Sequence, residues 1–458
     1  MTRDAFDTPS AAAPASEGRA GGLGWIAVLA AAALALYIAL FLATAWSSFI
    51  RDPYGDAYDI LSVEFAAQDR GDPGFYLWHH HGGHHIVWLR LLTALDVRLF
   101  NGQSYIFLAA ALPALIATAA MLSREIWRGV ADRRLAVPLA AVAPLALLTS
   151  LNAFDVSAPL NTPYVFTLLF AVPAFILAER GAGGFGALIG LLALAAGSAM
   201  GNSVGLATFA VVMVAVARRP DRGRLVWFWA AAPFVVAVFV GSAAMFTREA
   251  AATEHLALAE RALRSGRYFF SFAGLPWSAS SDKALTGGWR AAVAGPLLGL
   301  VLASLGLWLA ARPPKGTAPA DRLDRLCCSL ILFSIAAAGM AALGRANATA
   351  AFQVPVRYSL ILAPLHIGLV VLVVTRNAER IRRASGALAP ACAAILVLAL
   401  TQQILGRHII IGYCSHIREV VAAFNAGQRT AEMPQYVYPD LSRAEMLTAE
   451  MRKRGLYR

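Results

Sequence analysis

The sequence predicts an all-α, polytopic helical membrane protein. Hydrophobic residues make up 59% of its 458 residues, and the mean hydropathy of +0.60 is higher than a soluble domain usually reaches. Apolar stretches of about 18 residues or more recur, and each is long enough to cross a hydrocarbon core about 30 Å thick as a helix. The sequence lacks the alternation of lipid-facing and lumen-facing residues that a membrane β-barrel requires.

Hydropathy predicts about eleven transmembrane helices. The first apolar run, from Trp25 to Phe49, is longer than a signal-peptide core of about 7–15 residues, so we expect an uncleaved first span. The predicted spans are 25–49, 104–122, 135–151, 162–179, 184–200, 203–217, 225–246, 291–311, 327–343, 357–375 and 387–405.

The arginines predict the orientation of the chain. Arg and Lys collect in alternate short loops, such as 123–134 and 376–386, whereas the opposite short loops 152–161 and 201–202 contain none. The positive-inside rule then makes the N-terminus cytoplasmic and the C-terminus periplasmic, in a bacterial inner membrane. These loops account for most of the net charge of +12, so we expect a lipid bilayer as the partner and no nucleic acid.

The chain divides into a short tail at each end and a membrane domain. Residues 1–23, rich in Ala, Ser, Gly and Pro, are expected to be a disordered cytoplasmic tail. The transmembrane domain covers 24–405 and includes a structured first periplasmic loop, 50–103, and a second long outer loop, 247–290. Residues 406–458 are expected to form a short periplasmic helical tail.

Local patterns predict helices in the first loop and in the C-terminal tail. Residues 86–100 mix apolar and charged side chains and predict a helix in the membrane interface or leading into span two. In the tail, Ser442 and Glu445 match a capping box, and Gly455 stands where a C-terminal cap is expected.

An acidic cluster follows the first span and contains the candidate catalytic residues. Asp56 is the first candidate for a general base, because it lies about six residues beyond the span and follows Gly55. Asp59 and Glu64 are the second candidates. The alternative is that acids at the exit of a membrane helix only solvate the interface.

Five histidines occupy seven positions of the same loop, at 79–81, 84 and 85. A solvated polar turn is the simplest interpretation. His81 and His85 are weak candidates for a shared metal ion, because H-G-G-H-H matches no strong zinc signature. The third interpretation is ligand binding, in which His84 and His85 open a helix whose amides and imidazoles hold a phosphate.

Two arginines predict a phosphate site in the loop between predicted spans nine and ten. Arg345 follows Gly344, and Arg357 is followed by Tyr358. Guanidinium groups match a phosphate in charge and geometry, which suits a phosphate or pyrophosphate on a lipid. The alternative is that both arginines anchor the ends of spans at the membrane surface.

These motifs together resemble the GT-C superfamily of membrane glycosyltransferases, which have an acidic catalytic residue in the first long outer loop. The chain also looks like a group of uncharacterised bacterial integral membrane proteins that share a first-loop H-N-E-H-R motif with a later Arg, a G-R…R-Y loop and a tail Tyr-Pro. The matching positions are His81, His84, Arg90, Gly344, Arg345, Arg357, Tyr358, Tyr438 and Pro439. Gly83 occupies the position of the motif's Glu in this chain, so the base would be Asp56 or another first-loop acid.

The resemblance implies a transferase that moves a sugar from a polyprenyl-phosphate donor to a hydroxyl of an envelope glycan, lipid or protein. Arg345 and Arg357 would hold the donor phosphate, and Asp56 would deprotonate the acceptor. The remaining residues expected to contact substrate are His81, His84, His85, Arg90 and Tyr358. No cofactor is predicted beyond a possible divalent metal ion.

Two other functions stay open. A transporter or flippase for a lipid-linked or anionic solute should carry ionisable residues deep within its spans, and His366 is one of few such residues. A non-enzymatic envelope assembly protein would use the histidines to sense pH or metal, and replacing Asp56 would have no effect on it.

Overall fold

The computed structural model describes residues 20–81, 84–180, 184–219, 223–246, 257–275, 293–314, 316–345 and 354–456. Within these ranges the chain is helical and has no β-strand, which confirms the all-α prediction. The helices are α1 (Ala20–Ser47), α2 (Ala57–Arg70), α3 (Pro73–Trp78), α4 (Val87–Phe100), α5 (Tyr105–Gly129), α6 (Arg133–Leu147), α7 (Ala153–Ser157), α8 (Thr162–Arg180), α9 (Phe185–Gly201), α10 (Ala207–Arg218), α11 (Phe228–Phe246), α12 (Leu258–Ala273), α13 (Gly295–Ala310), α14 (Pro319–Arg345), α15 (Ser359–Arg376), α16 (Ala378–Arg383), α17 (Ser385–Asn425), α18 (Met433–Tyr436) and α19 (Leu441–Lys453).

The protein is a multi-pass membrane protein by the length and composition of its helices. Helices α9, α10 and α13 are apolar but shorter than 18 residues. The predicted number of eleven spans therefore stays a prediction. Seven described stretches are long and apolar enough to cross a bilayer: Val28–Ser47, Tyr105–Gly129, Pro159–Arg180, Gly223–Ser242, Pro319–Gly344, Ser359–Arg376 and Pro390–Asn425.

The main hydrophobic core lies among the apolar helices. Helices α5, α6, α8, α9, α14 and α15 pack mainly against their sequence neighbours, as short connections require. Phe175 of α8 and Phe333 of α14 are fully buried, with ring centroids 5.7 Å apart. This bundle is the frame from which the connecting loops project.

A second hydrophobic core lies outside that bundle and joins the two ends of the chain. It is formed by α2, the C-terminal half of α17, α18 and α19, and includes Tyr58, Phe65, Ile417 and Leu447. Helix α17 has 41 residues, so at about 1.5 Å per residue it is about twice as long as a bilayer core is thick. The tail from residue 406 therefore begins inside a helix and is helical over most of its described length.

The first loop is helical, and it contains α2, α3 and α4. Helix α4 occupies the segment 86–100 in which a helix was predicted. The buried carboxylate of Asp96 near its end accepts hydrogen bonds from the backbone N–H groups of Ser104 and Ile106, at 2.7 and 3.3 Å. This contact closes the turn between α4 and α5.

The predicted capping box in the tail is wrong. Helix α19 begins at Leu441, and its N-cap is Asp440, whose carboxylate accepts from the backbone N–H of Arg443 at 3.1 Å. The Ser442 hydroxyl donates to the same carboxylate. An ionised carboxylate is the stronger acceptor, which explains why it displaces the serine from the cap. Gly455 follows the helix in the left-handed conformation expected of a cap, with φ of +77°.

Three predicted regions fall largely outside the described residues. Residues 1–19 of the N-terminal tail and 346–353 of the arginine loop are not described. Of the second long loop, the structure describes 257–275, which contain α12.

Candidate functional site

Asp56 stands at the tip of a tight turn that leads into α2. Gly55 before it adopts φ of +52°, a left-handed conformation that favours glycine. Asp56 is the N-cap residue of α2, but its carboxylate makes no capping hydrogen bond. Instead, its Oδ2 lies 3.3 Å from Nε2 of His81, and the side chain is 67% exposed. The turn therefore presents the carboxylate outward.

Arg357 lies in a short 3₁₀ turn, Val356–Tyr358, immediately before α15. Its guanidinium interacts electrostatically with Asp56 and with Asp155, and it lies over the ring of Tyr358 at 5.7 Å. Asp56 and Arg357 come from loops at opposite ends of the chain. The structure therefore brings together the first predicted base and one of the two predicted phosphate-binding arginines.

Asp155 is a third ionisable residue at this position, and it is not among the site residues predicted from the sequence. It lies in α7, is fully buried, and neither of its carboxylate oxygens accepts a hydrogen bond from the described residues. Burial raises the pKa of Asp155 well above its usual value, although the nearby Arg357 opposes this shift. An acid in a short loop without Lys or Arg was the available signal in the sequence.

Aromatic rings form a wall beside Arg357. The ring of Tyr358 lies 5.4 Å from that of Tyr164 on α8 and 5.2 Å from that of Phe272 on α12. Tyr358 and Phe272 are buried. The described part of the second long loop thus contributes an aromatic side chain next to the charged group.

Asp59 and Glu64 occupy different positions from Asp56. Asp59 accepts a hydrogen bond from the Tyr438 hydroxyl at 2.6 Å and pairs with Arg443 at 3.1 Å. Glu64 is buried and accepts from the Gln68 side chain at 2.7 Å. The side chain of Asp56 is 67% exposed, whereas that of Asp59 is 31% exposed and Glu64 is buried, so the geometry favours Asp56 as the acid that meets a substrate.

The histidine segment links the first loop to the membrane helices. The backbones of His81 and His84 exchange hydrogen bonds of 3.0 and 2.9 Å. Nδ1 of His84 lies 2.9 Å from the Ser203 hydroxyl, and Nε2 of His85 lies 2.9 Å from that of Ser242. Burial lowers the pKa of His85, so its ring is neutral near pH 7. His84 and His85 are therefore anchors, and His81 is the member of the segment that reaches Asp56.

A metal site does not fit these residues. His81 and His85 point to different partners, Asp56 and Ser242. Among the described ranges of the chain, no group of three or more His, Cys, Asp or Glu side chains is arranged to hold a metal ion. We therefore derive no chemical step that uses a metal.

Arg90 lies in a separate cluster within the first loop. Its side chain is 1% exposed, lies 5.1 Å from the ring centroid of Tyr76, and interacts electrostatically with Glu64. Burial lowers the pKa of His79 nearby, and the charge of Arg90 lowers it further. Arg90 thus connects α2, α3 and α4, and the structure does not place it with Arg357.

Arg345 is the last residue of α14, and its side chain lies outside the described residues.

A mostly apolar pocket lies on the other side of the Asp56 turn, between α2, α4 and residues 159–160. Asp52 and Tyr54 line it, and burial raises the pKa of Asp52 against the charge of Arg51. Tyr54 also interacts with Arg357, so it links this pocket to the charged group.

Comparison of the chain with protein-family models, with curated proteins and with solved structures found no match.

Proposed function

We propose that this protein is a membrane glycosyltransferase of the GT-C type, which moves a sugar from a polyprenyl-phosphate donor to a hydroxyl acceptor at the periplasmic surface. The observation that carries the proposal is the convergence of Asp56, Asp155 and Arg357 from three separate loops. A carboxylate beside a guanidinium, at the end of apolar helices, suits a substrate that has a lipid chain, a phosphate and a reacting hydroxyl.

In the proposed reaction Asp56 is the general base. The acceptor oxygen attacks the anomeric carbon of the sugar, and its proton passes to the Asp56 carboxylate. The bond between that carbon and the phosphate oxygen breaks, and the phosphate leaves with the electron pair. Arg357 stabilises the charge that develops on the phosphate, because a guanidinium donates hydrogen bonds and stays charged. Inversion at the anomeric carbon is what the GT-C resemblance implies.

Asp155 and the aromatic wall have supporting roles in this proposal. The buried Asp155 interacts with Arg357 and helps to keep the guanidinium in place. The rings of Tyr358 and Phe272 offer faces on which a sugar can stack. The apolar pocket lined by Asp52 and Tyr54 suits an apolar part of the acceptor.

The test is mass spectrometry of lipids that co-purify with the detergent-solubilised protein. We expect a polyprenyl phosphate or its sugar adduct with the wild type, and loss of that lipid in Arg357→Gln. Asp56→Asn should retain the sugar-loaded donor, because binding is intact while turnover is blocked. Glu419→Gln, an exposed acid on α17, is the matched control and should resemble the wild type. Absence of the lipid from both the wild type and Asp56→Asn would overturn the proposal.

A transporter is the second candidate, and one observation favours it. At the opposite end of α8 from Tyr164, Nε of Arg325 donates to Glu179 at 2.7 Å, and both side chains are 4% exposed. Ionisable residues that are buried and paired within membrane helices often mark a substrate or ion pathway. Solute flux into proteoliposomes that survives Asp56→Asn but is altered by Glu179→Gln would support the transporter over the transferase.

A further inference from the structure

The C-terminal tail holds the turn that carries Asp56. The backbone N–H of Gly55 donates to the carbonyl of Val437 at 2.6 Å. The hydroxyl of Tyr438 donates to Asp59 at 2.6 Å, and the Tyr438 ring lies 5.7 Å from that of Tyr58. Residues on both sides of Asp56 are thus bound to two consecutive tail residues.

The same tail also fixes α2 along its length. Arg443 pairs with Asp59 near the start of α2, at 3.1 Å. Arg454 pairs with Asp69 near its end, at 2.8 Å, and its guanidinium lies 4.6 Å from the Phe65 ring centroid. The second hydrophobic core fills the space between these polar contacts. Any movement of the tail therefore moves α2 and the turn before it.

The Asp56 carboxylate interacts with other residues of the candidate site. That carboxylate contacts His81 at 3.3 Å, on the first loop, and it interacts with Arg357. Burial and the carboxylate of Asp59 raise the pKa of Tyr438 to about 12, and Asp56 contributes to this shift. Tyr438 therefore stays protonated and able to donate its hydrogen bond over the whole physiological range.

We propose that Tyr438 and Val437 are positioning residues for Asp56, an inference that rests on the transferase function proposed above. The tail sets the direction of the Asp56 carboxylate, while the membrane helices supply Arg357. The reaction needs the base within hydrogen-bond reach of the acceptor hydroxyl, and a shift of about 1 Å can lower a rate about a hundredfold. The tail is thus part of the reacting site, although it makes no contact with substrate.

The first test measures amide hydrogen exchange of the full-length protein in detergent. Tyr438→Phe removes the hydroxyl and leaves the ring in the second core. We expect exchange in peptides covering 52–59 to become about tenfold faster, the size of one lost hydrogen bond to a carboxylate. Tyr436→Phe makes the same change on the same tail, where the ring packs against His416, and should leave exchange in 52–59 unchanged.

The pattern of exchange separates positioning from a purely structural role. In a positioning role the melting temperature and the exchange of 441–453 stay at wild-type values. Loss of protection throughout the tail with a lower melting temperature would overturn the proposal. Unchanged exchange in 52–59 would also overturn it. Neither readout needs an active enzyme, so the result is separate from the fate of the proposed function.

Kinetics supply the second test. In the transfer assay, Tyr438→Phe should lower kcat about tenfold with KM unchanged, because substrate binding does not involve the tail. Asp59→Asn should have a similar effect, and the double variant should be no worse than either single one. A rise in KM at constant kcat would overturn the positioning role. Wild-type activity in Asp56→Asn would instead overturn the proposed function.

Discussion

Nε2 of His81 lies 3.3 Å from Oδ2 of Asp56, so the histidine segment and the acidic turn of the first loop meet at this contact. The two motifs are separated in sequence by α2 and α3. In the sequence the two motifs are separate candidates, whereas in the structure His81 of one contacts Asp56 of the other. A ring N–H of His81 that donates to the carboxylate orients it.

Replacing His81 with Phe should lower the rate of sugar transfer about tenfold, because the Asp56 carboxylate loses a hydrogen-bond donor that orients it. His81→Asn keeps a donor at the same position and should retain most of the activity. Initial rates at neutral pH check both variants. The control is His416→Asn, which alters a similar His–Glu contact in the tail, at 3.1 Å from Glu432. Equal rates for the Phe and Asn variants would contradict the orienting role.

The pH dependence of the stability of the protein should reveal the raised pKa of Asp155. Its pKa is raised in the folded state. When the pH exceeds 3.8, the ordinary pKa of this side chain, the unfolded chain therefore releases a proton that the folded protein retains. The contribution of this carboxyl to the free energy of unfolding is therefore fully present below pH 3.8. It declines as the pH rises toward the raised pKa of the folded state, by up to about 1.4 kcal/mol per pH unit.

Asp155→Asn should accordingly raise the melting temperature near pH 7, because Asn preserves the shape of the side chain and has no proton to release on unfolding. The gain should disappear near pH 4, where the wild-type carboxyl is protonated as well. Thermal unfolding in detergent at the two pH values measures this difference. If Asp155→Asn is less stable than the wild type near pH 7, then the attraction of Arg357 outweighs burial and the predicted direction of the pKa shift is wrong.

Much of the helical frame could be predicted, because a membrane span is set by a continuous run of apolar residues. The predicted span 162–179 corresponds to α8, Thr162–Arg180, and the predicted interface helix 86–100 to α4, Val87–Phe100. Hydropathy depends on local sequence alone, so it performs well for such segments. The positive-inside orientation stays a prediction.

The candidate site was predictable only in part. Asp56 and Arg357 stood out because charged residues are sparse in the chain, and the structure brings them into electrostatic contact. The partners of Asp59 were not predictable, because Tyr438 and Arg443 reach it from the far end of the sequence. Arg90 looked like a phosphate ligand from its motif, but its burial against Tyr76 depends on how α3 folds back on α4.

Breaking the buried ion pair between Arg325 and Glu179 should strongly destabilise the protein. Arg325→Met should destabilise the protein by about 3–5 kcal/mol, because it leaves an unpaired carboxylate that is 4% exposed. The double variant Arg325→Met/Glu179→Met should recover most of that loss, since neither charge is then buried alone. Thermal melts of the two variants in the same detergent provide the comparison. A double variant as unstable as the single one would mean that packing, and not charge, dominates at this position.

Close contact between α12 and α13 should control the aromatic wall beside Arg357. A Cβ on Gly299 would lie 1.8 Å from the carbonyl oxygen of Phe270 and 2.7 Å from the backbone N of Gly274, so Gly299→Ala must push the two helices apart. Phe272, two residues from that contact, would move away from Tyr358.

We therefore expect Gly299→Ala to lower both the melting temperature and the transfer rate. Gly339→Ala is the matched control, because a Cβ at Gly339 in α14 meets nothing within 4 Å. A helical glycine with open space should tolerate alanine and gain about 0.5–1 kcal/mol. Melting curves and initial rates of the two variants test these expectations. Gly299→Ala with a wild-type melting temperature would show that α12 does not approach α13 this closely, and would remove the support for placing Phe272 in the site.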